Sequence, residues 1–178
     1  MRKVFITLLL AQAPVLFGAQ ATYNSVQRTW TLSSSRISAV FQLTADGSFL
    51  AQSIADPTTG DQWTASPGQP MSPVHFTAGS DTFGAQRKYL LADQYAQNLH
   101  PSGVRQHIVL KDLTGVAQIT VTLEVYDGQP VVRYATRYRN TGGVTEYVTG
   151  ANMLPWSFAD LGQRYTAFRV SQWSVTPA

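Results

Sequence analysis

The chain contains no cysteine, which excludes disulfides, thiolate metal sites and cysteine nucleophiles. Charge is also scarce, at 13% of 178 residues. No Lys/Arg cluster is dense enough to track a phosphate backbone, so nucleic acid is not an expected partner. No glycine-rich phosphate loop follows a strand and opens a helix, and no Gly-x-Ser-x-Gly elbow occurs. The three histidines, His75, His100 and His107, fall in different segments without a ligand spacing such as His-Glu-x-x-His. No motif implies a cofactor, a metal or a catalytic residue. Long windows of i, i+3, i+4, i+7 apolar periodicity are missing too, which argues against a helical fold.

What is present starts at the N-terminus. Arg2 and Lys3 precede an apolar segment that begins at Val4–Leu10 and runs with interruptions to Phe17, and Ala19-Gln20-Ala21 matches a small-x-small cleavage pattern. Residues 1–21 therefore read as a secretory signal peptide, which sends the protein to the periplasm or outside the cell. A retained anchor is the competing reading, but Gln12 and Pro14 break the run short of the roughly 18 apolar residues a membrane span needs. Removing this segment takes away two of thirteen basic residues and no acidic one, leaving eleven against ten and a net charge of +1. Residues 22–178 suit one domain, and an exported domain without disulfides must hold itself together by burial.

The remaining chain reads as all-β. Ile119, Val121, Leu123 and Val125 alternate with Gln118, Thr120, Thr122 and Glu124, so one face packs and the other meets water. After the turn Asp127-Gly128-Gln129-Pro130, the run to Asn140 places Val132, Tyr134, Thr136 and Tyr138 on one face and Arg133, Ala135, Arg137 and Arg139 on the other. This is a long antiparallel hairpin. Further strands are expected at Ile37–Leu43, Ser48–Ile54, Val74–Phe76, near Tyr89–Tyr95, and at Val104–Leu110, Thr145–Thr149 and Tyr165–Trp173. A helical turn is an alternative within Arg87–Leu99, and Pro67–Pro73 reads as a surface connection. So many strands in one exported domain suggest two packed antiparallel sheets.

Candidate chemistry is thin. Asp46, Asp56, Asp61, Asp112 and Asp127 sit beside Gly or Pro or in expected turns, where Asp bonds to its own backbone. Glu124 and Glu146 remain as candidates for a carboxylate pair, with Glu124 on the wet face of the hairpin. Four tryptophans and eight tyrosines supply either core or flat platforms for sugar rings. Trp156, after Leu154-Pro155, and Trp63, after the loop Asp56–Asp61, are the residues expected to be exposed and to bind carbohydrate.

Three stretches carry a resemblance: FQLTADGSFLAQSIADPTTGDQW from Phe41, LKDLTGVAQITVTLEVYDGQPVVRYATRYRNTGG from Leu110, and YTAFRVSQW from Tyr165. Together they are similar to the N-terminal domain of glycoside hydrolase family 36, the α-galactosidase family. The resemblance implies a two-sheet antiparallel β-supersandwich, galactose-mutarotase-like, placed ahead of a (β/α)8 barrel that carries the family's catalytic aspartates. Nothing in this chain corresponds to that barrel, so the resemblance transfers no catalytic residue. It implies a non-catalytic domain that supports carbohydrate binding, oligomer assembly and an active-site rim. Its partners would be the barrel, a galactoside or other carbohydrate, and further copies of itself. A free-standing carbohydrate-binding module is the alternative. A mutarotase-like epimerase is a third reading, with His107 and Glu124 as the convenient acid and base but no sequence reason to join them.

Overall fold

A computed structural model of the protein describes residues 18–63, 72, 74–84, 86–145 and 147–149. Among these residues there are eleven strands and no helix. The first antiparallel sheet is the meander β1 (Gln20–Asn24), β2 (Thr29–Ser33), β3 (Ser38–Leu43) and β4 (Phe49–Ala55). A second meander runs through β7 (Tyr89–Asn98), β8 (Val104–Asp112), β9 (Ala117–Val125) and β10 (Val132–Asn140). The third sheet is small, with β5 (Phe76–Ala78) paired to both β6 (Asp81–Phe83) and β11 (Val148–Thr149). The chain is thus a sandwich-like all-β fold, with a third sheet added to the two that were expected.

Period-two patterning builds the core. In β2 the sequence Thr-Trp-Thr-Leu-Ser turns Trp30 and Leu32 inward, and in β3 Ala39, Phe41 and Leu43 follow the same rule. The facing sheet contributes Ile108 and Leu110 from β8 and Ile119, Val121 and Leu123 from β9, all essentially inaccessible to water. β1 lies against β8 and β2 against β9, so the inner faces of the two meanders meet as in a sandwich. Trp30 stacks on Tyr23 at 4.9 Å and meets the edge of Phe49 at 6.0 Å. The small sheet joins this core through Phe76 and Phe83, which stack at 4.6 Å and both meet the edge of Tyr138 on β10.

Turn chemistry fixes the registers. Between β3 and β4, Gly47 takes a φ of 86° and its N–H donates to Thr44 at 3.0 Å. A Cβ at this position would lie 2.9 Å from the Tyr89 carbonyl oxygen, so glycine also permits the close approach of β7. Between β9 and β10, Gly128 has φ 65° and Gln129 N–H closes the turn on Tyr126.

Several sequence expectations shift in detail. The segment Arg87–Leu99 holds the long strand β7 and no helical turn. β7 carries a bulge between Leu91 and Asp93, which re-aims its later side chains. The strand β1 lies across the expected cleavage site: Gln20 pairs with Ser33 and Ala21 with Leu32, while Ala19 N–H donates to Asp127. The apolar run of the expected signal peptide, the Tyr165–Trp173 strand and most of Pro67–Pro73 lie outside the described residues.

Candidate functional site

Because β7 to β10 form one antiparallel ladder, their outward residues fall into rows that can be read across the sheet. One row is Gln97, Arg105, Glu124 and Arg133, and the next is Tyr95, His107, Thr122 and Ala135. Then come Asp93, Val109, Thr120 and Arg137, followed by Leu90, Lys111, Gln118 and Arg139. This face brings most of the chain's chemically capable side chains to one surface.

At one end the charges are satisfied. Glu124 Oε1 accepts from Arg105 Nε at 2.6 Å and forms an ion pair with Nη2 of the same guanidinium at 2.6 Å. Its other oxygen accepts from the Tyr126 hydroxyl and faces Arg133 Nη1 at 3.4 Å. Burial works against the ionised form of Glu124, but the hydrogen bonds from Tyr126 and Arg105 and the charges of Arg105 and Arg133 outweigh it. The carboxyl is held below the usual range. Glu124 lies on the outward face as expected, yet it is only 7% exposed because these partners cover it. It serves as a charged strut tying β8, β9 and β10 together.

The middle of the face carries an aromatic step. Tyr95 is 43% exposed and stacks on His107 with ring centroids 4.5 Å apart. His107 Nδ1 shares a hydrogen bond with Thr122 Oγ1 at 3.2 Å. Beneath them, the buried Gln106 amide donates to the carbonyls of Tyr95 at 3.1 Å and His107 at 2.9 Å, which fixes the two strands under the stack. Burial, with the Arg105 charge, lowers the His107 pKa against the opposing pull of Glu124. The balance favours the neutral imidazole.

At the far end, Gln118, Thr120, Arg137 and Arg139 line a shallow hollow of about 210 Å³. Among the described residues neither arginine makes a side-chain hydrogen bond or ion pair, in contrast to Arg105 and Arg133 on the same face.

His107 and Glu124, which no spacing in the chain joins, sit diagonally on neighbouring strands of this one face. His75 and His100 are exposed elsewhere. Among the described residues no group of three or more His, Asp or Glu side chains is placed to hold a metal. Trp63 is half buried and packs against the core, with its N–H donating to Ile54 at 2.7 Å. Trp156 and Glu146 lie outside the described residues. Tyr95 was missed as a candidate because its exposure depends on β7 being a strand with a bulge. The arginines were visible in the alternation of Val132–Asn140, but their lack of partners was not. Comparison of the chain with protein-family models, with curated proteins and with solved structures finds no match.

Proposed function

We propose that the protein is a non-catalytic β-sandwich domain that binds carbohydrate and serves an exported α-galactosidase-like glycoside hydrolase, with the outer face of β7–β10 as its sugar-contacting surface. The observation that carries this reading is the Tyr95–His107 step set among hydrogen-bonding side chains. An exposed ring offers a flat apolar surface to the C–H face of a sugar. Thr122 in the same row, and Thr120 and Gln118 farther along β9, supply donors and acceptors for ring hydroxyls. Glu124 is saturated by Arg105, Arg133 and Tyr126, so it holds the platform and is poorly disposed to shuttle a proton. The reading as an epimerase loses its acid–base pair on that ground.

Exposed apolar side chains favour a domain that docks on a larger partner. Val144 is 74% exposed, Tyr147 82% and Val148 43%, at and just before the edge strand β11. A catalytic barrel packed there would cover them.

Calorimetric titration of the protein with melibiose, raffinose and galactose tests the reading. Saturable binding is expected, weakened about tenfold or more by Tyr95→Ala, since a sugar–ring contact carries on the order of 1.5 kcal/mol. Absence of binding to all three, or undiminished binding by the variant, refutes it.

A further inference from the structure

We infer that the hollow between β9 and β10 recognises the anionic group of an acidic glycan, a carboxylate or a sulfate ester carried on a sugar ring. The inference rests on the carbohydrate-binding reading of the same face and names the class of sugar it takes.

Arg137 is opposite Thr120 and Arg139 opposite Gln118, so both guanidinium groups rise from one strand on one side. Residues two apart on a strand are separated by roughly 7 Å. Lys111 lies in the same row as Gln118 and Arg139 and adds a third positive charge. The face offers little to neutralise them. Glu124 is already engaged by Arg105, Tyr126 and Arg133, and Asp93 stands on β7 at the opposite edge, three strand spacings or about 14 Å from β10. Like charges held this close repel. An anion seated between them removes that repulsion and gains bidentate, charge-assisted hydrogen bonds, for which the guanidinium fork is the matching shape.

The neighbours of the hollow point to a sugar rather than to a bare ion. The Gln118 amide and Thr120 hydroxyl line it with groups that both donate and accept. Across the strands, Tyr95 gives an exposed ring about 14 Å away, at the other edge. An oligosaccharide lying across the sheet would set a neutral residue on Tyr95 and an acidic one on the arginine pair. A nucleic acid strand is the poorer fit, because Val109, Thr122 and Ala135 interrupt the positive charge, which forms no continuous track.

The test is calorimetry on the wild-type protein with tri-galacturonate, a sulfated galactan trisaccharide, neutral galactotriose, inorganic sulfate and a short single-stranded DNA. It is repeated on the double variant Arg137→Gln/Arg139→Gln, whose changed side chains are exposed and unpaired among the described residues, and on Tyr95→Ala. At least one acidic trisaccharide is expected to bind about tenfold or more tightly than galactotriose. The double variant should erase that advantage, so that acidic and neutral trisaccharides bind it equally. Which of the two acidic sugars shows the advantage decides between carboxylate and sulfate ester. Equal affinity for acidic and neutral sugars, or an acidic advantage that survives in the double variant, overturns the inference. In that case the broader reading stands if Tyr95→Ala still loses galactotriose. Inorganic sulfate or DNA binding as tightly as the acidic sugars also overturns it, in favour of a simple anion or nucleic-acid site. If no sugar binds, both proposals fall together.

Discussion

Replacing Arg87 by methionine should destabilise the domain strongly, because it strands a buried carboxylate. The Asp112 side chain, at the end of β8, is 1% exposed, and Arg87 is 16% exposed. Two parallel hydrogen bonds join them, Nε to Oδ1 at 2.6 Å and Nη2 to Oδ2 at 2.8 Å. The same guanidinium reaches Asp81 on β6 at 3.1 Å and lies 4.6 Å from the centroid of the Phe83 ring. It therefore clamps the small third sheet to the end of the second. Breaking a buried pair from one side costs about 3–5 kcal/mol. Asp112 would keep its bonds from the Thr114 N–H and hydroxyl, and Arg87 is not wholly buried, so the expected loss is near the lower end, about 3 kcal/mol. With a urea m-value of about 2 kcal/mol/M, the unfolding midpoint should fall by roughly 1.5 M. The double variant Arg87→Met/Asp112→Leu should recover part of this loss, since no unpaired charge remains. Lys88→Met, which breaks the exposed pair with Asp46, serves as the control and should leave the midpoint unmoved. A midpoint shift under about 0.5 M for Arg87→Met, with m unchanged, would refute the claim that Asp112 depends on this partner.

Two further predictions concern groups that the fold buries or shields. Tyr89 is 1% exposed and its hydroxyl has no hydrogen-bond partner among the described residues; burial also pushes its pKa well above the ordinary value. Tyr89→Phe should therefore be neutral or stabilising by up to about 1 kcal/mol in urea unfolding, and a loss greater than that would reveal a partner for the hydroxyl. The second concerns acid. His107 and Glu124 both have folded pKa values below their ordinary ones, so at a given pH the unfolded chain binds more protons and stability rises with pH. The His107 contribution is complete above about pH 6.5 and is lost as pH falls through its lower folded value. The Glu124 contribution is complete above about pH 4.3 and is lost as pH falls through its own lowered value. Urea midpoints measured from pH 8 to 3 should fall in two stages. His107→Gln should flatten the first stage and Glu124→Gln the second, whereas greater stability at pH 5.5 than at pH 7.5 would contradict the assignment for His107.

How much of this was legible in the sequence depends on segment length and on whether the chain keeps its period. The β9–β10 hairpin was readable almost residue by residue, because a long strict alternation with one buried face leaves a single register. β2 carries the same signal in only five residues, and Trp30, one of four tryptophans open to a surface role, is its second residue, wholly buried. β1 was hidden by chemistry that serves two purposes. The small residues Ala19 and Ala21 that suggest a cleavage site also fit a strand packed partly against the core. In β7 the adjacent Leu90 and Leu91 break the alternation, and the bulge that follows is a tertiary choice that the local sequence does not announce. Strands of three residues or fewer, such as β5, β6 and β11, are too short to show any period.

The candidate site was legible only as a composition of faces, since partnership is decided across strands. Arg133, Arg137 and Arg139 look equivalent along β10, yet register sets Arg133 beside Glu124 and sets Arg137 and Arg139 beside Thr120 and Gln118. The first arginine thereby becomes part of a saturated network, while the other two have no side-chain partner among the described residues. A face that needed only solubility could carry scattered charges of both signs. Two guanidinium groups at one hollow, with Lys111 on the next strand in the row of Gln118 and Arg139, raise the local potential and the self-repulsion of the sheet. An anionic ligand offsets that cost, and Thr120 and Thr122 along β9 give such a ligand polar contacts leading to the row that holds His107 and Tyr95.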